Sequence, residues 1–437
     1  MDQNLTQLRD QIDGIDQKLV ELFKQRMAVS REVAAYKQEH GLPTLDAGRE
    51  RALLAKVGSL AGEDLADYTE SVFRSIMAAS RSYQKQCEGS GSPVYEGIRT
   101  ALSTTPDLFP QRATVACQGI EGAYSQIACD SIFKSPTILY FDTFDHVFKA
   151  VESGMCQYGI LPIENSTAGS VNATYDLMTR HNFSIVRSAR LKVSHNLLAK
   201  AGTGLADIKE VFSHEQAINQ CSAFLSGLKG VKVTVVPNTA VAARMVSQSE
   251  RRDVAALSSR FCGETYGLEL LRANVQNRDN NYTRFICISQ KPEIYPGADR
   301  TSLMMTLPHK PGALYHVLSK FYALGINLQK LESRPLPDRE FEFMFYFDLE
   351  CSVYAPEMER LFRDLEEESE QCRYLGTYQE VICCWARSIW SSACWASGWA
   401  TAFLPPSTGS WPAMTTGWWS SPQRRWSHSS GRGGSGG

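Results

Sequence analysis

The sequence predicts a multidomain chain of three folded modules: all-α, then α/β, then a ferredoxin-like βαββαβ unit. Three observations carry that expectation. Apolar side chains in residues 1–86 recur at steps of three and four. Residues 113–290 alternate short β-prone runs with helical stretches. Residues 300–382 follow the order strand, helix, strand, strand, helix, strand.

Composition bounds the class. The 437 residues fit two to four domains, and 43% of them are hydrophobic, enough for packed cores. The formal charge of −2 excludes a nucleic-acid binder on bulk charge. Twelve Cys include no C-x-x-C pair and no signal peptide is evident, so reduced thiols and a cytoplasmic location are expected. No apolar run reaches the ~18 residues of a clean membrane span, so no membrane partner is expected. The eight His show no metal-ligand spacing, and no metal or cofactor is expected.

The first helix is read from Leu5, Leu8, Ile12, Ile15, Leu19, Leu22, Val29 and Val33 and ends at Gly41 and Pro43. A second helix starts at Asp46 and stops at Gly58; a third runs over 63–86. One long and two shorter helices leave apolar surface bare, so a homodimer or higher even oligomer is expected. Residues 87–112, broken by Gly, Ser and Pro, read as a flexible linker. In the α/β module, strands are expected at 114–116, 137–141, 158–162 and 232–236, mainly parallel, with helices near 144–152, 215–225 and 239–248. The third module is expected as strand 302–307, helix 312–324, strands 327–333 and 342–349, helix 356–367 and strand 374–382.

Arg26 falls on the apolar stripe of the first helix, Lys37 lies about 20° from it around the helix, and Arg9 sits near the start. Taken singly, each is an ordinary snorkelling cation. As a cluster they need anions, which a small diacid would supply. Ser80 and Gln84 form an i,i+4 pair. L-x-x-L-R at 5–9, Arg26, Lys37, D-x-x-R-E at 46–50 and S-x-x-x-Q at 80–84 together resemble the all-helical chorismate mutase family. The resemblance implies an interlocked helical dimer with Arg9, Arg26, Lys37, Asp46, Arg49, Glu50, Ser80 and Gln84 at the site. It also implies that Arg9 serves the partner's site. Chorismate would rearrange to prephenate with its carboxylates gripped by arginines. Lys37 and Gln84 would donate to the ether oxygen, and Glu50 would fix the ring hydroxyl.

In the second module, Q-G-I-E-G-A-Y-S at 118–125 follows a strand and opens a helix, which suits backbone N–H groups approaching an anion. With P-I-E-N-S at 162–166, S-H-x-Q-x-x-x-Q-C at 213–221 and T-R-F at 283–285 it resembles the prephenate dehydratase family. That implies a two-lobed periplasmic-binding-like fold with prephenate in the cleft. Thr283 would be the acid that assists hydroxide departure. Glu164, Asn165, Ser213, Gln220, Arg284 and Phe285 would bind substrate. In the third module P-G-A-L at 311–314 and L-E-S-R-P at 331–335 resemble ACT regulatory domains. They imply an inhibitory L-phenylalanine site made by Gly312, Ala313, Leu314, Glu332, Ser333 and Arg334.

Residues 1–382 as a whole resemble the bifunctional chorismate mutase–prephenate dehydratase family of phenylalanine biosynthesis. The division expected is 1–86 mutase, 87–112 linker, 113–290 dehydratase, 300–382 ACT domain and 383–437 tail. Every Trp of the chain lies in that tail, which from 385 onward lacks Asp, Glu, Lys, Asn, Val and Tyr. It is expected to be disordered and to arise from a shifted reading frame; Arg387 and repeated Ser argue against a membrane anchor. A phenylalanine sensor with decayed catalytic modules would lack some of the motif residues, and none is missing. A mutase–dehydrogenase would need a G-x-G-x-x-G after a strand, and none occurs.

Overall fold

A computed structural model of the chain describes residues 2–88, 91–336, 342–355 and 357–383. The expected tail beyond residue 383 lies outside the described residues, as does the expected helix start at Pro356.

The helical module consists of α1 (Asp2–Glu39), α2 (Ala47–Ala61) and α3 (Ala66–Glu88). α2 runs past Gly58, where the sequence reading stops it. A Cβ at Gly58 would stand 2.8 Å from Glu70 Oε1, so this glycine permits close approach of α3 and does not end the helix. Among the described residues the α1 stripe is left largely uncovered: Leu5 is 48% exposed, Ile12 56% and Leu22 61%. Arg26 itself is half-buried against α3, with Ser30 and Ala34 buried on the same helix.

The expected linker is corrected in its middle. α4 (Pro93–Thr104) starts with Pro93 in its first turn, and the Ser92 side chain accepts from Tyr95 N. Its Ile98 and Ala101 enter the core of the third module beside Leu303, Phe347 and Phe362. A short apolar face between Gly- and Pro-rich flanks hid this helix from a period search.

Residues 113–290 make two lobes. The first uses β1 (Thr114–Gln118), α5 (Tyr124–Ile132), β2 (Thr137–Phe141), α6 (Phe144–Glu152), β3 (Tyr158–Asn165), β4 (Gly169–Ser170), α7 (Asn172–Met178) and β5 (Ser184–Lys192). The second uses β6 (Asn196–Ala199), β7 (Glu210–Ser213), α8 (Glu215–Gln220), α9 (Ser222–Ser226), β8 (Lys232–Val235), α10 (Thr239–Gln248), β9 (Val254–Ser258), α11 (Arg260–Tyr266) and β10 (Glu269–Arg272). β11 (Tyr282–Ser289) returns to the first lobe between β5 and β3. The sheets are mixed, not mainly parallel: β11 runs antiparallel to both neighbours, and β6 to β9 and β10. The chain crosses between lobes twice, and the returning strand reverses direction. The expected helix at 215–225 breaks at Cys221, whose backbone leaves the helical region (φ −113°, ψ 17°).

The third module has the expected order: β12 (Arg300–Thr306), α12 (Ala313–Ala323), β13 (Asn327–Pro335), β14 (Phe343–Glu350), α13 (Met358–Glu368) and β15 (Gln371–Cys383). β15 is long enough to pair with β12 and then, from Gln379, with β5, so one sheet runs β13-β14-β12-β15-β5-β11-β3-β1-β2. A Cβ at Gly376, three residues before the pairing with β5 begins, would collide with the Ile185 carbonyl.

Candidate active sites

In the helical module, α1 and α3 bring Arg26 to Ser80, whose hydroxyl accepts from the guanidinium and donates to Ile76 O (2.9 Å). Burial lowers the Arg26 guanidinium from its ordinary value. Gln84, one turn further, is buried with Oε1 unpartnered among the described residues. Lys37 Nζ donates to Thr44 O (2.7 Å) across the α1–α2 turn. Asp46 Oδ1 caps α2 by accepting from Arg49 N (2.9 Å), and the Arg49 side chain is exposed. Glu50 pairs with Arg81, which the sequence reading did not single out. Arg9 is seventeen residues from Arg26 on the same straight element, about 25 Å along its axis, and cannot join it within one chain.

The cleft between the lobes of the second module has a polar base. β3 and β11 place Asn165 opposite Thr283. Asn165 Nδ2 donates to Thr283 Oγ1 (2.9 Å) and to Asn281 Oδ1 (2.8 Å), while its Oδ1 accepts from Thr167 N and Ala168 N. Asn281 Nδ2 and His195 Nε2 both donate to Gln220 Oε1 (2.8 Å each). That acceptor fixes the His195 proton on Nε2 and leaves Nδ1 a bare, buried lone pair. Burial lowers the imidazole, against a smaller opposing effect of Gln220, so the ring is neutral at pH 7. These groups open on a cavity of about 260 Å³ whose lining includes Phe144, Pro162, Val193, Phe285 and Tyr124. Tyr124 donates to Ser194 O (2.8 Å), and burial raises its phenol.

A model of the prephenate dehydratase family matches residues 115–293, and one of chorismate mutase type II matches residues 8–85. The bifunctional chorismate mutase/prephenate dehydratase of Escherichia coli K12 is 30% identical over 384 residues, which span 86% of this chain and 96% of that protein. The chain belongs to the bifunctional chorismate mutase/prephenate dehydratase family. Arogenate dehydratase/prephenate dehydratase 2 of Arabidopsis thaliana is 37% identical over 279 residues, 61% of this chain and 73% of that one. The crystal structure of a prephenate dehydratase from Arthrobacter aurescens in complex with L-Phe superposes with a TM-score of 0.56. It shares 26% identity and covers 61% of this chain and 89% of its own.

In this member of the bifunctional family, several residues expected at the dehydratase site point elsewhere. Thr283 and Phe285 face the cleft, so Arg284 between them faces away, by the two-residue period of a strand. Arg284 pairs instead with buried Asp348 of β14 and lies 3.4 Å from Glu164. Burial opposes the charge on Arg284, and the Asp348 carboxylate together with the Tyr378 and Tyr346 phenols outweighs it, raising the guanidinium above its ordinary value. Glu164 likewise accepts from Lys330 of β13 (2.9 Å). Ser213 is buried against Leu257 O (2.8 Å) inside the second lobe. The glycine turn at 118–125 is a weaker anion cradle than expected. Gly119 N donates to Phe141 O, Gly122 N to Gln126 Oε1 and Ala123 N to Ile120 O. Asn281 and His195 are the site residues that sequence reasoning missed. Asn281 was findable, because it lies two residues before Thr283 on the same side of the chain; nothing in the sequence marked His195.

The expected effector residues separate into two groups. Ala313 and Leu314 line a cavity of about 130 Å³ with Leu307, Phe343 and Phe345. Gly312 is left-handed (φ +84°) at the start of α12, and a Cβ there would meet only the His316 ring at 3.7 Å, so its conformation explains the glycine. Glu332 and Arg334 face the dehydratase lobe. Glu332 accepts from Ser170 Oγ, and Arg334 makes a two-pronged contact with Asp176 (2.8 and 3.0 Å). Ser333 lies on the opposite, exposed side of β13. The third module also holds the helical one: Ser82 Oγ donates to Asp364 Oδ1 (2.7 Å), and Lys85 pairs with Glu367 (2.9 Å). The expected flexible separation of the modules is thus replaced by direct contact.

Proposed function

We propose that the chain rearranges chorismate to prephenate on its helical module and converts prephenate to phenylpyruvate in the cleft, with Thr283 as proton donor. The observation that carries the dehydratase assignment is the Asn165–Thr283 hydrogen bond. Because Asn165 Nδ2 donates to the threonine oxygen, the hydroxyl proton is free to point at substrate. The bond from the ring to its carboxylate breaks, and its electron pair enters the ring. Carbon dioxide departs, and the ring hydroxyl leaves as water with the proton passed by Thr283, which solvent restores. A threonine is a weak acid, and aromatisation supplies the driving force. Neutral His195 cannot serve as that acid near pH 7.

For the mutase, Arg26, Lys37, Glu50 and Gln84 hold the diacid and its ether oxygen in a compact conformer. Arg9 completes the site from a second copy, whose helix covers the bare α1 stripe; this supports an even oligomer. The third module is read as an ACT domain that binds L-phenylalanine near Ala313 and Leu314 and inhibits the cleft, supported by its βαββαβ order and the L-Phe held by the Arthrobacter relative. Incubating the purified chain with chorismate and following prephenate and phenylpyruvate over time tests the reading. Prephenate should rise first and phenylpyruvate follow; no phenylpyruvate from added prephenate would refute the dehydratase assignment.

A further inference from the structure

We infer that Arg278 anchors the substrate carboxylate that survives the dehydratase reaction, the one on the 2-oxo acid side chain. The inference rests on the dehydratase reading above and adds the orientation of substrate in the cleft.

The cavity around Thr283 adjoins a second one of about 590 Å³, and His214, Gln216 and Gln220 line both. Among the residues lining either cavity, Arg278 is the one Arg or Lys and Glu215 the one carboxylate. A substrate with two carboxylates therefore meets one cation among the described lining residues, and that cation lines the second cavity, away from Thr283. The inner end has an apolar wall of Phe144, Pro162, Val193 and Phe285 and no cation. That division suits the chemistry. The departing carboxylate must lose its charge as carbon dioxide, which tight ion pairing would oppose, whereas the retained carboxylate keeps its charge throughout and can be held.

The segment carrying Arg278 is pinned on both sides. Gln276 Oε1 accepts from His195 N (3.0 Å). Asn277 N donates to Gln220 O (2.7 Å), and its side chain bonds Ser222 Oγ (2.9 Å) and Ala223 N (3.1 Å). Three residues on, Asn281 is tied to Asn165 and Gln220. Between these anchors the Arg278 side chain is exposed and makes no hydrogen bond or ion pair with any described residue. A guanidinium presented on a braced segment and left unpaired is set to take a carboxylate by a charge-assisted contact.

The test is steady-state kinetics on prephenate with Arg278→Gln, Arg278→Lys and Glu215→Gln in the full chain. The Arg278 side chain is exposed and makes no hydrogen bond or ion pair with any described residue, so the variant should fold, and mutase activity on chorismate serves as the control. Arg278→Gln should raise KM about 10–100-fold, the span of one charge-assisted hydrogen bond, with kcat nearly unchanged. Arg278→Lys should recover part of the loss, and Glu215→Gln should lower KM by removing a like charge. Phenylpyruvate should inhibit the native chain more strongly than its methyl ester, and Arg278→Gln should erase that difference. An unchanged KM in Arg278→Gln, a fall confined to kcat, or retained discrimination against the ester overturns the inference. A native chain that leaves prephenate untouched refutes the dehydratase reading instead, so the two failures are distinguishable.

Discussion

Around Thr283, side chains from β11, β3, α8 and the segments before β6 and β11 are joined by hydrogen bonds within one chain: Thr283 to Asn165, Asn165 to Asn281, Asn281 to Gln220, Gln220 to His195. Around Arg26 the matching positions come from three helices, Arg9 lies too far along α1 to reach Arg26 within one chain, and Gln84 Oε1 is buried without a partner among the described residues. The difference follows from architecture. Two lobes crossed twice by the chain can brace a cleft with their own polar groups, whereas a helical hairpin with a bare apolar stripe must borrow its missing wall. On the function proposed above, preorganisation would be intramolecular at one site and intermolecular at the other.

The sharpest break in that comparison is Thr283→Val. Val keeps the β-branched shape and removes the hydroxyl, so dehydratase activity should fall by ~10²–10⁴, the span of a general acid, while mutase activity persists. Prephenate should then accumulate from chorismate, as chromatography would show. Near-native phenylpyruvate formation would mean that another group delivers the proton.

Arg26→Ala attacks the other side. Mutase turnover should drop by ~10²–10³, by analogy with loss of one transition-state hydrogen-bond donor. Dehydratase activity on added prephenate should survive, because Arg26 touches α3 and no part of the cleft. Parallel loss of both activities in a folded variant would tie the two sites together, by way of the Ser82–Asp364 and Lys85–Glu367 contacts.

A smaller effect is expected from Gly312→Val. The position is left-handed, so Val strains the start of α12 and disturbs the adjoining cavity. Inhibition by phenylalanine should weaken within the roughly 5–150-fold range of ordinary allosteric coupling. Dose–response curves of dehydratase activity decide this, and identical curves would place the effector site elsewhere.

The mildest prediction concerns pH. The folded His195 is held below its ordinary value of 6.5 by burial. As pH falls through 6.5 the unfolded chain takes up a proton that the folded chain refuses, so stability is fully present above 6.5 and lost below it. The slope is at most about 1.4 kcal/mol per pH unit for one such group. Urea midpoints at pH 7.5 and 5.5 should differ less in His195→Gln than in the native chain.

Much of this was legible in the sequence where periodicity is long or a motif is dense. The helices at 144–152 and 239–248 and the order of elements from 300 to 382 follow from pattern alone. What pattern does not carry is the direction of a side chain once strands are paired. T-R-F reads as one motif, yet its arginine belongs to the third module and its flanking residues to the cleft. Glu164 and Asn165 divide in the same way. α4 escaped because its apolar face is short, and His195 because a lone histidine before a strand has no periodic signature. The exposed stripe of α1 was legible in full, because three helices of these lengths cannot cover it themselves.

Complementation between two inactive chains tests the central claim, that the mutase site is shared between copies while the dehydratase cleft is complete in each. Arg9→Ala and Arg26→Ala chains, each without mutase activity, would be unfolded together in equal amounts and refolded. In a two-fold dimer half the pairs are mixed, and each mixed pair has one site with both arginines intact. About a quarter of native mutase activity should therefore return, with dehydratase activity present in both chains before and after mixing. Recovery of dehydratase activity with no mutase activity would contradict the account, because Arg9 and Arg26 would then act within the same chain or not at one site.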